Sequence, residues 1–122
     1  MILENTGIDE TIIDVQPLSK VMGKHAFIKG ESWDYERITY DYKIGSQEKN
    51  VTYYIRIQAY ATEGDIDRGT AVVKILPPLL GKHYYPHGVE YGEDEEFPEN
   101  LIERAKGLVK KANEALEPYK HD

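Results

Sequence analysis

Two neighbouring segments with strict two-residue alternation constrain the fold of this chain most. Residues 38–44 read ITYDYKI and residues 51–61 read VTYYIRIQAYA, so apolar and polar side chains alternate in both. Such alternation is typical of strands with one buried face, and the intervening GSQEKN has turn composition. We predict a long antiparallel hairpin in which Ile44 faces Val51. In that register Asp41 lies opposite Tyr54 and diagonal to Arg56.

The C-terminal region predicts a long helix. Pro98 suits the first helical position, where the missing N–H costs nothing, and Pro118 ends the helix. One apolar stripe follows helical spacing and comprises Leu101, Ile102, Ala105, Leu108, Val109, Ala112 and Leu116. A shorter helix is predicted over residues 17–25, because Leu18, Val21 and Met22 share one face.

Further strands are predicted over residues 10–16, 26–36 and 70–76, the last ending at Pro77-Pro78. An antiparallel sheet buries one face well under one or two helices. We therefore predict an α+β fold: an antiparallel sheet of four to five strands, with the long C-terminal helix and the short N-terminal helix packed on one face. No internal repeat or linker divides the chain, which predicts a single domain over residues 1–122.

Composition narrows the classes of partner and location. The formal net charge of −7 argues against nucleic acid as the main partner, since binding phosphates needs clustered Lys and Arg. There is no cysteine, which excludes thiolate catalysis and disulfides. The first ten residues lack the pattern of a signal peptide, and no apolar run is long enough for a membrane span. We expect a cytoplasmic protein without nucleic-acid or membrane partners.

The polar face of the predicted hairpin is unusually aromatic. The chain has ten tyrosines, and tyrosine and arginine are enriched in interface hot spots. One interpretation is that the tyrosines only cover a thin sheet. The other is an interface or ligand-facing surface, whose candidate residues are Asp41, Tyr54, Arg56, Gln58 and Tyr60.

The segment LLGKHYYPHGVEYGEDEE, residues 79–96, is the second candidate region. It is long for a connector, and we interpret it as an ordered loop anchored by Tyr84 or Tyr85. His83, His87 and Glu90 are the types of side chain that bind zinc or another divalent metal. Pro86 lies between the histidines, however, so helical spacing does not hold their rings together.

Several motifs together resemble the YugN-like family, small proteins of Bacillus and its relatives. They are WDYERITYDYK (33–43), EGDIDRG (63–69), LLGKHYYPHGVEYGE (79–93) and FPENL (97–101). The resemblance runs along nearly the whole chain, in order and at similar spacing. It implies a small cytoplasmic α+β protein of the Firmicutes, and it implies no reaction and no catalytic residues.

Two hypotheses of function follow. The favoured one is a non-enzymatic binding or interaction protein with a protein partner or self-association as a homodimer, without a cofactor. The alternative is a small enzyme that depends on a divalent metal at His83, His87 and Glu90.

Overall fold

A computed structural model of the chain describes residues 1–30, 36–84, 88–91 and 95–122. Its elements in chain order are β1 (Ile12–Asp14), α1 (Val15–Lys24), β2 (Ile28–Lys29), β3 (Arg37–Gly45), β4 (Val51–Glu63), β5 (Val72–Ile75), β6 (Leu79–Tyr84), β7 (Val89–Glu90), α2 (Glu99–Leu116) and a 3-10 turn (Glu117–Tyr119). Residues 31–35 of the strand predicted over 26–36 lie outside the described part.

The sheet is organised around β4, its longest strand. β3 pairs along one edge of β4, and β2 continues the sheet beyond β3. β5 and β6 share the opposite edge, one after the other: β5 pairs with the end of β4 and β6 with its beginning. β1 adds to β5 and β7 adds to β6. Every pairing among the described strands is antiparallel, as predicted.

The hairpin of β3 and β4 has the predicted faces but a different register. Ile44 lies opposite Tyr53 rather than Val51, and Asp41 lies directly opposite Arg56 rather than diagonal to it. The shift of two residues keeps every side chain on its predicted face, because the side-chain period of a strand is two. In the turn between the strands, Ser46 Oγ accepts a hydrogen bond from the Glu48 amide at 3.0 Å, and Asn50 has a φ of 64°.

The interpretation of residues 79–84 as part of a loop is wrong, since they form β6. Pro77 and Pro78 interrupt the ladder because proline has no N–H to donate. The chain then resumes pairing with β4 one residue out of phase: Ile75 pairs with Ala59, and Leu79 pairs with Arg56. This change of phase, followed by Gly81 within the strand, hides the alternation in the sequence.

Both helices bury one stripe in the core. α1 buries Val15, Leu18, Val21 and Met22, and α2 buries Leu101, Ala105, Val109, Ala112 and Leu116. They belong to one hydrophobic core with sheet residues that include Ile38, Tyr40, Ile55, Ile57 and Leu80, each at most 2% exposed. Within the described ranges, neither helix is both long enough and apolar enough to cross a bilayer.

The α+β fold is thus confirmed, with a long C-terminal and a short N-terminal helix beside an antiparallel sheet. Counting the two-residue strands, the described residues form seven strands. The additional strands are β6 and β7, both from the segment 79–96.

Candidate functional site

The face of the sheet that points away from the buried core displays most of the predicted interface residues. We call it the outer face and define it by the β4 side chains Thr52, Tyr54, Arg56, Gln58 and Tyr60 with their neighbours in β3 and β6. All five are partly exposed, whereas the intervening Tyr53, Ile55, Ile57 and Ala59 are buried. Alternation along β4 therefore sorts the two sets, as the sequence predicts.

An ion pair lies at the centre of the outer face. Arg56 Nε and Nη2 donate to the two carboxylate oxygens of Asp41 at 2.9 and 3.0 Å. The side chains are 33% and 24% exposed, so the pair is partly shielded from water. The hydrogen bond to Asp41 raises the pKa of Arg56, and the guanidinium therefore stays charged. Such bidentate pairs hold a planar, fixed geometry.

The ion pair occupies one row that crosses four strands. Ile28 of β2 lies opposite Asp41, Asp41 opposite Arg56, and Arg56 opposite Leu79 of β6. Ile28 is 67% exposed. At the other end of the row Ile2 forms a bridge with Leu79 and is 45% exposed. Exposed aliphatic side chains therefore flank a central charged pair.

Tyr91 packs beside this row, and the sequence predictions missed it. A Cβ on Gly81 would lie 2.6 Å from Tyr91 Cδ1 and 2.8 Å from Val89 Cγ1, so the tyrosine ring fits only because residue 81 has no side chain. Arg56 Cζ lies 4.9 Å from the ring centroid, a cation–π distance. Burial raises the pKa of Tyr91 to about 12. The signal in the sequence was a glycine inside a strand.

Tyr54 and His83 form the next contact on the outer face. Their ring centroids are 6.4 Å apart at an interplanar angle of 71°, an edge-to-face arrangement. His83 lies opposite Thr52 of β4 on one side and Val89 of β7 on the other. Its imidazole therefore packs in a row of the sheet.

The other two outer-face candidates lie farther along β4. Gln58 is opposite Thr39, and Tyr60 is opposite Arg37 on one side and Lys74 on the other. Lys74 also pairs with Glu10 at 2.7 Å. The structure thus places all five predicted residues, Asp41, Tyr54, Arg56, Gln58 and Tyr60, on one face.

The segment 79–96 supplies residues to both faces rather than forming one site. Tyr84 shares its face with Tyr53, and its hydroxyl donates to Glu95 Oε2 at 3.2 Å. Lys82 Nζ lies 4.8 Å from the centroid of the Tyr84 ring.

Of the predicted metal ligands, only His83 is described with its side chain. Tyr85 and His87 lie outside the described residues, and for Glu90 only the backbone in β7 is described. In the described part of the chain, no three histidine or carboxylate side chains are grouped as metal ligands would be.

Fold and site together define a class: a small α+β protein whose antiparallel sheet has helices on one face and an aromatic, cation-containing surface on the other. The family profile described as YugN-like family matches residues 4–112. The chain belongs to this family.

Relatives in Bacillus subtilis (strain 168) agree with this membership. An uncharacterized protein YlbA is 46% identical over 104 residues, which is 85% of each chain. An uncharacterized protein YugN is 27% identical over 85 residues, covering 70% of this chain and 62% of that protein. The crystal structure of the uncharacterized conserved protein YugN from Geobacillus kaustophilus HTA426 is 40% identical. It superposes with a TM-score of 0.82 and covers 97% of this chain and 96% of that one.

Proposed function

We propose that this YugN-like protein is a non-enzymatic cytoplasmic interaction protein that associates with a second copy of itself through the outer face. The observation that supports this most is the row in which exposed Ile28 and half-buried Leu79 flank the Asp41–Arg56 pair. Interfaces combine aliphatic or aromatic contact area with arginine, and depend on a few residues near the centre.

The order of residues in the row supports a symmetric pair of copies in particular. A two-fold axis can lie in the interface, parallel to β3 and β4 and midway between them. This axis would bring Asp41 of each copy opposite Arg56 of the other, and Ile28 opposite Leu79. A surface must be self-complementary in this way to form a closed dimer.

The rigidity of the surface also favours an interface. Asp41 and Arg56 hold each other in a bidentate geometry, and Tyr91 is seated against Gly81. Side chains that are ordered before association lose less conformational entropy when they bind. Tyr54 and Tyr60 lie on either side of Arg56 along β4 and would add aromatic contact area to the same surface.

Removing both tyrosines tests the proposal. The double variant Tyr54→Thr, Tyr60→Thr keeps β-propensity but loses two rings from the outer face. We expect wild-type protein to show twice the 14.0 kDa mass of one chain by light scattering, and the double variant to shift towards 14.0 kDa.

Tyr119→Thr is the matched control for this experiment. Tyr119 is 48% exposed but lies beside α1, away from the outer face, so its loss should leave the mass unchanged. Two results would contradict self-association through this face. One is a wild-type mass of one chain at all concentrations; the other is a Tyr119→Thr control that loses mass as much as the double variant does.

The alternative of a metal-dependent enzyme stays a prediction for His83, His87 and Glu90. No contact of the described residues favours it: the His83 ring lies edge-on to Tyr54, among side chains of the sheet. We therefore keep the interaction protein as the proposed function.

A further inference from the structure

A cleft of about 780 Å³ opens on the core side of the sheet, opposite to the outer face. It lies between the tip of the β3–β4 hairpin and the first turn of α2. Its floor includes one row of the sheet, in which Ile44, Tyr53 and Lys82 lie opposite one another. The volume is in the range of small-molecule sites.

The cleft exists because the helix does not reach the end of the hairpin. α2 begins only at Glu99, and Phe97, two residues earlier, contacts Tyr53 of this row. The ring centroids of Tyr53 and Phe97 are 5.9 Å apart at 56°. Ile44 and Leu101 are buried beside them. Phe97 is only half-buried, so its ring offers aromatic contact to a flat ligand ring.

The rim has charges of both signs. Arg104 and Lys82 line the cleft as cations, and Glu48 and Glu96 line it as anions. Arg104, Glu48 and Glu96 are all exposed, and none of them forms an ion pair with another described residue. These exposed groups can reach a ligand, although the charge of Glu48 also acts on Lys82. The amides at the start of α2 add partial positive charge, because Pro98 provides no side-chain cap.

We propose that this cleft binds a small zwitterion with an aromatic side chain, that is, an aromatic α-amino acid or a dipeptide containing one. The ligand ring packs against the half-buried Phe97, which itself contacts Tyr53. The ligand carboxylate pairs with Arg104 and the ligand ammonium with Glu48. A ligand with one charge would leave one side of the mixed rim without a partner, which is why a zwitterion suits it best.

Titration with the dipeptide Leu-Phe tests the site directly. Binding is followed by amide chemical shifts in the ¹⁵N-labelled protein, and saturating shifts are expected in residues 44–48 and 97–104. N-acetyl-Leu-Phe lacks the ammonium and Leu-Phe-amide lacks the carboxylate. Each should bind about tenfold more weakly, since each loses a charge-assisted hydrogen bond.

Two substitutions locate the charges. Arg104→Gln should weaken Leu-Phe about tenfold and abolish the difference between Leu-Phe and its amide. Glu48→Gln should also weaken Leu-Phe about tenfold and should abolish the difference between Leu-Phe and N-acetyl-Leu-Phe. Glu103→Gln is the matched control, since Glu103 is exposed on the same turn of α2 but does not line the cleft. Absence of saturable shifts, or equal affinity in all three variants, would overturn the proposal.

Discussion

At the scale of single residues, burial affects the ionisation of two tyrosines, Tyr40 and Tyr91. Tyr40 is 1% exposed in the core, and its hydroxyl is 2.7 Å from Ser19 Oγ. Burial raises the pKa of both Tyr40 and Tyr91 to about 12. Burial disfavours the phenolate, so the folded protein holds these protons more tightly than the unfolded chain.

The Tyr40 proton predicts a pH dependence of stability. Because the folded pKa lies above the unfolded value near 10, its contribution is complete below pH 10 and is lost as the pH rises towards 12. Between pH 9 and 11 the unfolding free energy of wild type should fall about 1.4 kcal/mol more than that of Tyr40→Phe. Urea unfolding at the two pH values measures this. Parallel losses in both proteins would show that Tyr40 is not the cause.

At the scale of elements, the two faces of β6 pack in different surroundings: one faces the hydrophobic core, and the other faces Tyr91. Leu80 lies in the core. On the outer face Gly81 has no side chain, and the Tyr91 ring occupies the space that a side chain would fill. The sequence predicted neither feature. A glycine in a strand indicates a close approach, but only the fold shows that the approaching group is a ring ten residues later.

Substituting Gly81 tests this arrangement. Gly81→Ala should lower the unfolding free energy by about 1–3 kcal/mol, because the new methyl group overlaps Tyr91 and Val89. Gly107→Ala is the control: Gly107 is an exposed glycine within α2 with open space around it, and alanine should raise stability by about 0.5–1 kcal/mol. Urea midpoints compare the two. A Gly81→Ala protein as stable as wild type would mean that Tyr91 is not held there.

At the scale of the whole molecule, the sequence predicted what depends on periodicity. The alternation in β3 and β4 gave the two faces of the sheet, and the stripe of α2 gave its buried side. Register and strand order depend on turn geometry and long-range pairing, which alternation does not specify. For this reason alternation alone predicts Asp41 diagonal to Arg56 and does not predict the pairing of β6 with β4. The five predicted outer-face residues therefore share one face, while the pairing of Asp41 differs from the predicted one.

The most direct test of self-association through the outer face uses two complementary variants. Arg56→Asp makes the pair doubly negative, and Asp41→Arg makes it doubly positive. In the proposed dimer each variant alone places like charges opposite one another, which is costly. A mixture restores opposite charges between copies while the repulsion within each copy stays the same.

Light scattering of the separate and mixed proteins measures the outcome, with circular dichroism confirming that both variants are folded. We expect each variant to have the 14.0 kDa mass of one chain and the equimolar mixture to have twice that mass. A mixture that stays at the mass of one chain, while wild type forms a dimer, would contradict the proposed pairing of Asp41 with Arg56 between copies.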